Sequence, residues 1–171
     1  MDNLSLFVPS NLLHTQERMA RYRLGGFHPV TLGDTFNAGR YKVHHKLGHG
    51  GFSTVWLARD QLHRRWVSLK IVAANDSASS REMPLLRKLE SAGVKHIVKP
   101  LDSFVHQGPN GKHLCLVLEL LGPTIDFVMS DYRDGDEPLE PETILRITRQ
   151  LLQYQRRKRG FHCSRAPGIV A

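Results

Sequence analysis

With 171 residues, 40% of them apolar and 23% charged, the chain can bury one proper core and is too apolar for wholesale disorder. Its longest apolar stretch, Leu114–Leu121, is interrupted by Glu119 and is far too short for a membrane span, and the opening MDNLSLFVPSNLLH lacks the basic leader of a secretory signal. The net charge of +8 points to nucleic acid only until it is located: Arg156, Arg157, Lys158, Arg159 and Arg165 sit in an acid-free stretch, 154–171, which reads as a solvated tail.

The first forty residues mix apolar side chains with Gly25, Gly26, Pro29, Gly33 and Gly39 without a sustained period, and read as an irregular extension packed against the rest of the chain. From Tyr41 the pattern alternates. Tyr41, Val43, His45 and Leu47 against Lys42, His44 and Lys46 predict a half-buried strand. A glycine turn leads to a second run, Thr54–Ala58, and a polar connection leads to a third, Trp66–Val72. Three short strands with polar joints predict an antiparallel meander. A polar loop, 75–80, precedes a helix over 81–89, with Ser80 as its cap, Pro84 in its first turn and Leu85, Leu86 and Leu89 on one face. Two further strands are predicted near 97–105 and 114–120, joined by the turn Gly108-Pro109-Asn110-Gly111. After Gly122-Pro123 an apolar stripe of Ile144, Leu145, Ile147, Leu151 and Leu152 predicts a helix beginning near Glu140.

Chemistry concentrates in two places. In Leu47-Gly48-His49-Gly50-Gly51-Phe52-Ser53-Thr54-Val55, glycines between two strands let backbone N–H groups approach phosphate oxygens without a Cβ in the way. Taken alone this is weak, since many hairpins turn on glycine. Val67-Ser68-Leu69-Lys70 adds a lysine inside an apolar strand, where a charge is costly unless something requires it. Reaching nucleotide phosphates under the hold of a helix carboxylate is such a requirement, and Glu82 is the only acid between Ser77 and Leu89. The bland reading makes Lys70 an edge lysine and Glu82 a solvated helix charge.

Other patterns carry less. Gly108–Lys112 is too short for a Walker loop, Asp131, Asp134, Asp136 and Glu137 lack calcium-loop spacing, and there is no His-Glu-x-x-His. Cys115 and Cys163 form no Cys-x-x-Cys, so neither a disulfide framework nor a zinc site is expected, and a reducing compartment, cytoplasmic and/or nuclear, is the default.

The glycine loop, Lys70 and Glu82 at these spacings resemble the small lobe of protein kinases. Tyr22–Asp34, Gly39-Arg40-Tyr41 and Lys46–Asp60, with Phe52-Ser53-Thr54-Val55-Trp56-Leu57 after the glycines, resemble the SR-protein kinases, which phosphorylate arginine/serine-rich proteins such as splicing factors; the resemblance runs from about Tyr22 to Gln153. It implies an α+β fold, a kinase-like small lobe with a five-stranded antiparallel sheet and one main helix, then a hinge and the first large-lobe helices. The implied divisions are an extension (1–40), small lobe and hinge (41–122), the start of the large lobe (123–153) and an anomalous basic tail (154–171). Leu47 and Val55 would cover adenine, and Gly48, His49, Gly50, Gly51, Phe52 and Ser53 would cover the phosphates of ATP. Lys70 and Glu82 would pair, Leu118 would be the gatekeeper, and Glu119 and Leu121 would offer backbone groups to the adenine edge. Ser53 stands where kinases in general have a third glycine, and Ser68 where they have alanine.

By the same resemblance the activity is that of a non-specific serine/threonine protein kinase, with ATP, magnesium and an Arg/Ser-rich protein as ligands; the short apolar stretches argue against a membrane and the location of the charge against nucleic acid as partners. Yet the His-Arg-Asp and Asp-Phe-Gly segments that such kinases carry are missing, and after Glu142 there is no Asp or Glu. No catalytic or metal-binding residue is therefore assigned. The expectation is a chain inactive by itself whose last residues are an out-of-frame or unspliced reading; the alternative is a non-catalytic remnant acting as a binding or decoy module.

Overall fold

The computed structural model describes residues 17–122 and 140–149. They fall into two compact units, one holding the described residues up to Leu86 together with Val98–Leu121, the other Arg87–Ile97, Gly122 and 140–149.

The first unit is built on an antiparallel sheet of β1 (Thr35–Phe36), β2 (Tyr41–His49), β3 (Ser53–Asp60), β4 (Arg65–Val72), β5 (Pro100–Gly108) and β6 (Gly111–Glu119), in the order β1-β2-β3-β4-β6-β5. The predicted meander and the two later strands are all present, each within a few residues of its predicted span. The fold is that of a kinase-like small lobe, and β1 adds a sixth, two-residue strand out of the stretch read as irregular, where Phe36 is buried opposite Tyr41. Between β4 and β5 the chain makes a single turn, α1 (Ala74–Ser77), and the main helix, α2 (Glu82–Ser91).

Side-chain alternation gives the sheet two different faces. Trp56, Leu69 and Val117 lie side by side across β3, β4 and β6, and with Tyr41, Val43, Ala58, Val67, Ile71 and Cys115 they form the larger core. Each large apolar side chain buried there contributes roughly 1.5–3 kcal/mol. One residue along, Val55, Lys70 and Leu116 form the neighbouring row on the opposite face, which α2 covers with Met83 and Leu86 against Leu116 and Leu118.

Two expected patterns are corrected. The alternation of β2 fails after Val43: register shifts between Val43 and His45 and between Lys46 and Gly48 insert extra residues, leaving His45 and Leu47 exposed. On α2 the buried face starts at Met83 and continues at Leu86, three residues on, so Leu85 points outward and is 55% exposed. Pro84 does fall in the first turn, where its missing N–H costs little.

The described part of the extension lies along the larger core, with Phe27 and His28 buried. It is fixed by backbone bonds from Ala74 N–H to Gly26 O (3.0 Å), from Asn75 N–H to Gly25 O (2.9 Å) and from Gly25 N–H to Asn110 O (2.8 Å). Asn110 also donates its side-chain amide to Phe27 O at 2.6 Å, so the β5–β6 turn clasps the extension from two sides. At the other end of the sheet, fully buried Asp60 accepts from Arg40 (3.1 and 3.2 Å) and sits 2.9 Å from His63 Nδ1. Burial alone would raise its carboxyl; Arg40 and His63 outweigh that and hold it well below the usual range.

In the second unit, residues 141–149 form a helix, α3, with Pro141 at its first position and its opening N–H groups bonded back to Glu140 O. The expected acidic loop at 131–137, Leu151, Leu152 and the basic tail lie outside the described residues.

Candidate functional site

The β2–β3 connection supplies the first part of the site. Gly48 pairs with Val55 and His49 with Thr54, and the turn closes with Gly50 N–H on Ser53 O at 2.8 Å. A Cβ at Gly48, Gly50 or Gly51 would meet nothing within 4 Å, and none of the three has a positive φ. Neither packing nor backbone conformation demands glycine here. Without a Cβ at these positions the loop backbone stays open to close approach from outside the chain. Phe52 is 68% exposed at the tip, while Ser53 is buried where β3 begins.

Below the loop lies the pair. Lys70 Nζ donates to Glu82 Oε1 at 2.7 Å and Oε2 at 2.6 Å, joining the middle of β4 to the first residue of α2. Both side chains are partly exposed, at 25% and 36%, so the ammonium is held in place yet reachable. An open cleft of about 440 Å³ is lined by the loop tip, Gly50–Ser53, by Lys70 and Glu82, and by Val72, Asp76, Ser79 and Ser80. Asp76 and Ser79 were not singled out from sequence, and Ser80 only as a helix cap; the signal available was the polar loop directly after the lysine strand.

The remaining predicted residues spread along the same sheet. Val55 lies beside Lys70 and is half-buried, whereas Leu47 is 46% exposed. Leu118, buried against Met83, stands opposite Ser68, two residues along β4 from Lys70. Glu119 is at the end of β6, where its N–H donates to Lys99 O at 3.0 Å and its carboxylate accepts from Lys99 N–H at 2.7 Å. Its N–H is thus engaged within the protein. Leu121 is 60% exposed. Among the described residues no group of three or more His, Cys, Asp and Glu is placed to hold a metal ion.

No family model matches the chain. Among curated proteins it is 40% identical to protein kinase dsk1 of Schizosaccharomyces pombe, over 80% of this chain and 26% of that one. It is 36% identical to the serine/threonine-protein kinase SKY1 of Saccharomyces cerevisiae (85% of this chain, 21% of that one). To SRSF protein kinase 3 of Homo sapiens the identity is 43% (63% of this chain, 20% of that one). The chain therefore spans about a quarter or less of the length of these relatives. Among solved structures, a crystal structure of a kinase domain matches with TM-score 0.51 at 25% identity, covering 60% of this chain and 30% of that one.

Proposed function

The chain is related to the SR-protein kinases over most of its length, and from that premise we propose that it is the ATP-cradling portion of a serine/threonine kinase of arginine/serine-rich proteins. The observation that carries the reading is the Lys70–Glu82 pair lining one cleft with a glycine loop whose glycines nothing inside the protein requires. In this reading residues 41–122 are the small lobe and hinge, 1–40 an extension upon it, 123–153 the start of a large lobe and 154–171 a separate basic tail.

The roles divide by chemistry. ATP supplies the transferable phosphoryl group. Lys70 offers a fixed cation to its phosphates, and Glu82 keeps that cation from wandering. Gly48, His49, Gly50, Gly51, Phe52 and Ser53 cover the phosphates. Leu47 and Val55 flank the adenine, Leu118 closes the back, and Glu119 and Leu121 border its edge through the main chain. No magnesium step is assigned to these residues. The relatives named as SR kinases support an Arg/Ser-rich protein as the substrate.

The test is ATP binding to the purified 171-residue chain, with and without magnesium, beside Lys70→Ala. Saturable binding is expected, weakened at least about tenfold in the variant, the loss typical of one charge-assisted contact. Equal binding by both proteins, or none by the native chain, rules the reading out. Phosphate transfer to an Arg/Ser peptide by the same preparation separates an enzyme from a module that only binds.

A further inference from the structure

Between Arg21 and Phe27 the extension folds into a tight loop that brings one side chain to the glycine turn thirty residues away. Phe27 N–H bonds to Arg21 O at 2.8 Å and Gly26 N–H to Arg23 O at 2.7 Å, while the Arg21 guanidinium stacks over the Phe27 ring at 4.8 Å. The loop depends on its glycines: a Cβ on Gly26 would lie 2.0 Å from Arg21 O, and Gly25 has φ +78° with Asn75 pressed against it. Thus anchored, Arg21 Nη2 donates to the carbonyl of Gly51, at the tip of the glycine loop. A second tie lies nearby, where Glu17 accepts from both Lys46 of β2 and Tyr22. Burial alone would raise the Glu17 carboxyl, but these two donors bring it down to about 2, so the tie stays charged at neutral pH.

A planar trans peptide points its C=O and the following N–H in opposite directions. Holding Gly51 O therefore fixes the direction of the Phe52 N–H, which has no backbone partner among the described residues. The Phe52 carbonyl is held in turn by Ala73 N–H at 2.8 Å. From this geometry we infer that Arg21 is a positioning residue for the glycine loop, setting the Phe52 amide for a phosphate from outside the cleft. The inference rests on the nucleotide reading above and extends it: the extension belongs to the phosphate site, and not only to the fold.

The experiment compares the full chain with Arg21→Ala and Arg21→Lys by amide hydrogen exchange in the absence of ligand, and by ATP against adenosine binding. Arg21→Ala is expected to speed exchange about tenfold at the two bonded amides of the loop, Gly50 N–H on Ser53 O and Ala73 N–H on Phe52 O, and to weaken ATP by a similar factor, with adenosine affinity and the unfolding midpoint unchanged. Arg21→Lys, which keeps a donor, is expected between the two. Unchanged exchange overturns the inference, as does a parallel loss of adenosine binding or of stability, which would mark Arg21 as structural. If the native chain binds no ATP, the nucleotide reading falls and takes the phosphate role of Arg21 with it; the exchange data still decide separately whether Arg21 restrains the loop.

Discussion

Three histidines from three parts of the chain share one buried corner. His28 of the extension packs against His106 of β5 at 4.7 Å and His113 of β6 at 5.0 Å between ring centroids, with Phe36 closing the group. A carbonyl can only accept, so His113 Nδ1, 3.0 Å from Val72 O, carries the proton, and its buried Nε2 is left without a partner. Buried His28 Nδ1 also lacks one. Burial first, then His106 and His113, push His28 down to about 4, against a small opposing pull from Asp34; His106 is lowered in the same sense. The native state thus keeps His28 neutral where the unfolded chain, titrating near 6.5, binds a proton. Stability from this residue is complete above about pH 6.5 and is lost as pH falls toward 4, by up to ~3 kcal/mol. Urea titrations across that window are expected to show stability rising with pH, and His28→Leu to flatten the rise. An identical slope in the variant would assign the pH dependence to other groups.

At the scale of elements, the glycines of two hairpins do opposite work. In the β5–β6 turn a Cβ on Gly108 would sit 2.2 Å from His28 Nδ1, and Gly111 has φ +129°. Gly108→Ala must therefore displace the extension, costing on the order of 1–3 kcal/mol, while Gly50→Ala, which meets open space, leaves stability within ~1 kcal/mol and weakens ATP. Thermal unfolding and nucleotide titration of both variants check the crossover. Equal stability losses would mean that the glycine loop is packed after all. This contrast also marks what could be read in the sequence. Strand spans, the Gly108–Gly111 turn and the meeting of Lys70 with Glu82 were legible, because local period, turn chemistry and an out-of-place charge each leave a mark along the chain. The bulges of β2 and the outward turn of Leu85 were not. An extra residue in a strand changes no composition, and Met83 rather than Leu85 leads the buried face of α2 only because of where β6 lies. Nor was Arg21 legible, since thirty residues and a folded loop separate it from Gly51.

For the molecule as a whole, the question is how its apolar surface is accommodated. Of the apolar stripe that the sequence places after Glu140, Leu151 and Leu152 lie outside the described residues, but on α3 Ile144 is 49% and Leu145 56% exposed. They are consecutive on a helix where Ile147, three residues after Ile144, is partly buried and the remaining side chains are largely polar and exposed, so the pair heads the apolar surface of α3. Leu120 and Leu121, at 40% and 60%, are exposed in the segment following β6. Two large aliphatic groups left in water favour association, at about 25 cal/mol for each Å² they remove from solvent. The net charge of +8 opposes that association, and salt weakens the opposition because charges on a surface are screened over about 10 Å at 0.1 M. The full chain is therefore expected to self-associate at micromolar concentration, more strongly as salt is raised, and Ile144→Gln with Leu145→Gln to shift it toward monomer. Light scattering coupled to size exclusion measures both effects. A monodisperse native monomer that ignores salt would show the apolar pair to be covered by the chain itself, and would remove the argument that this surface needs a partner.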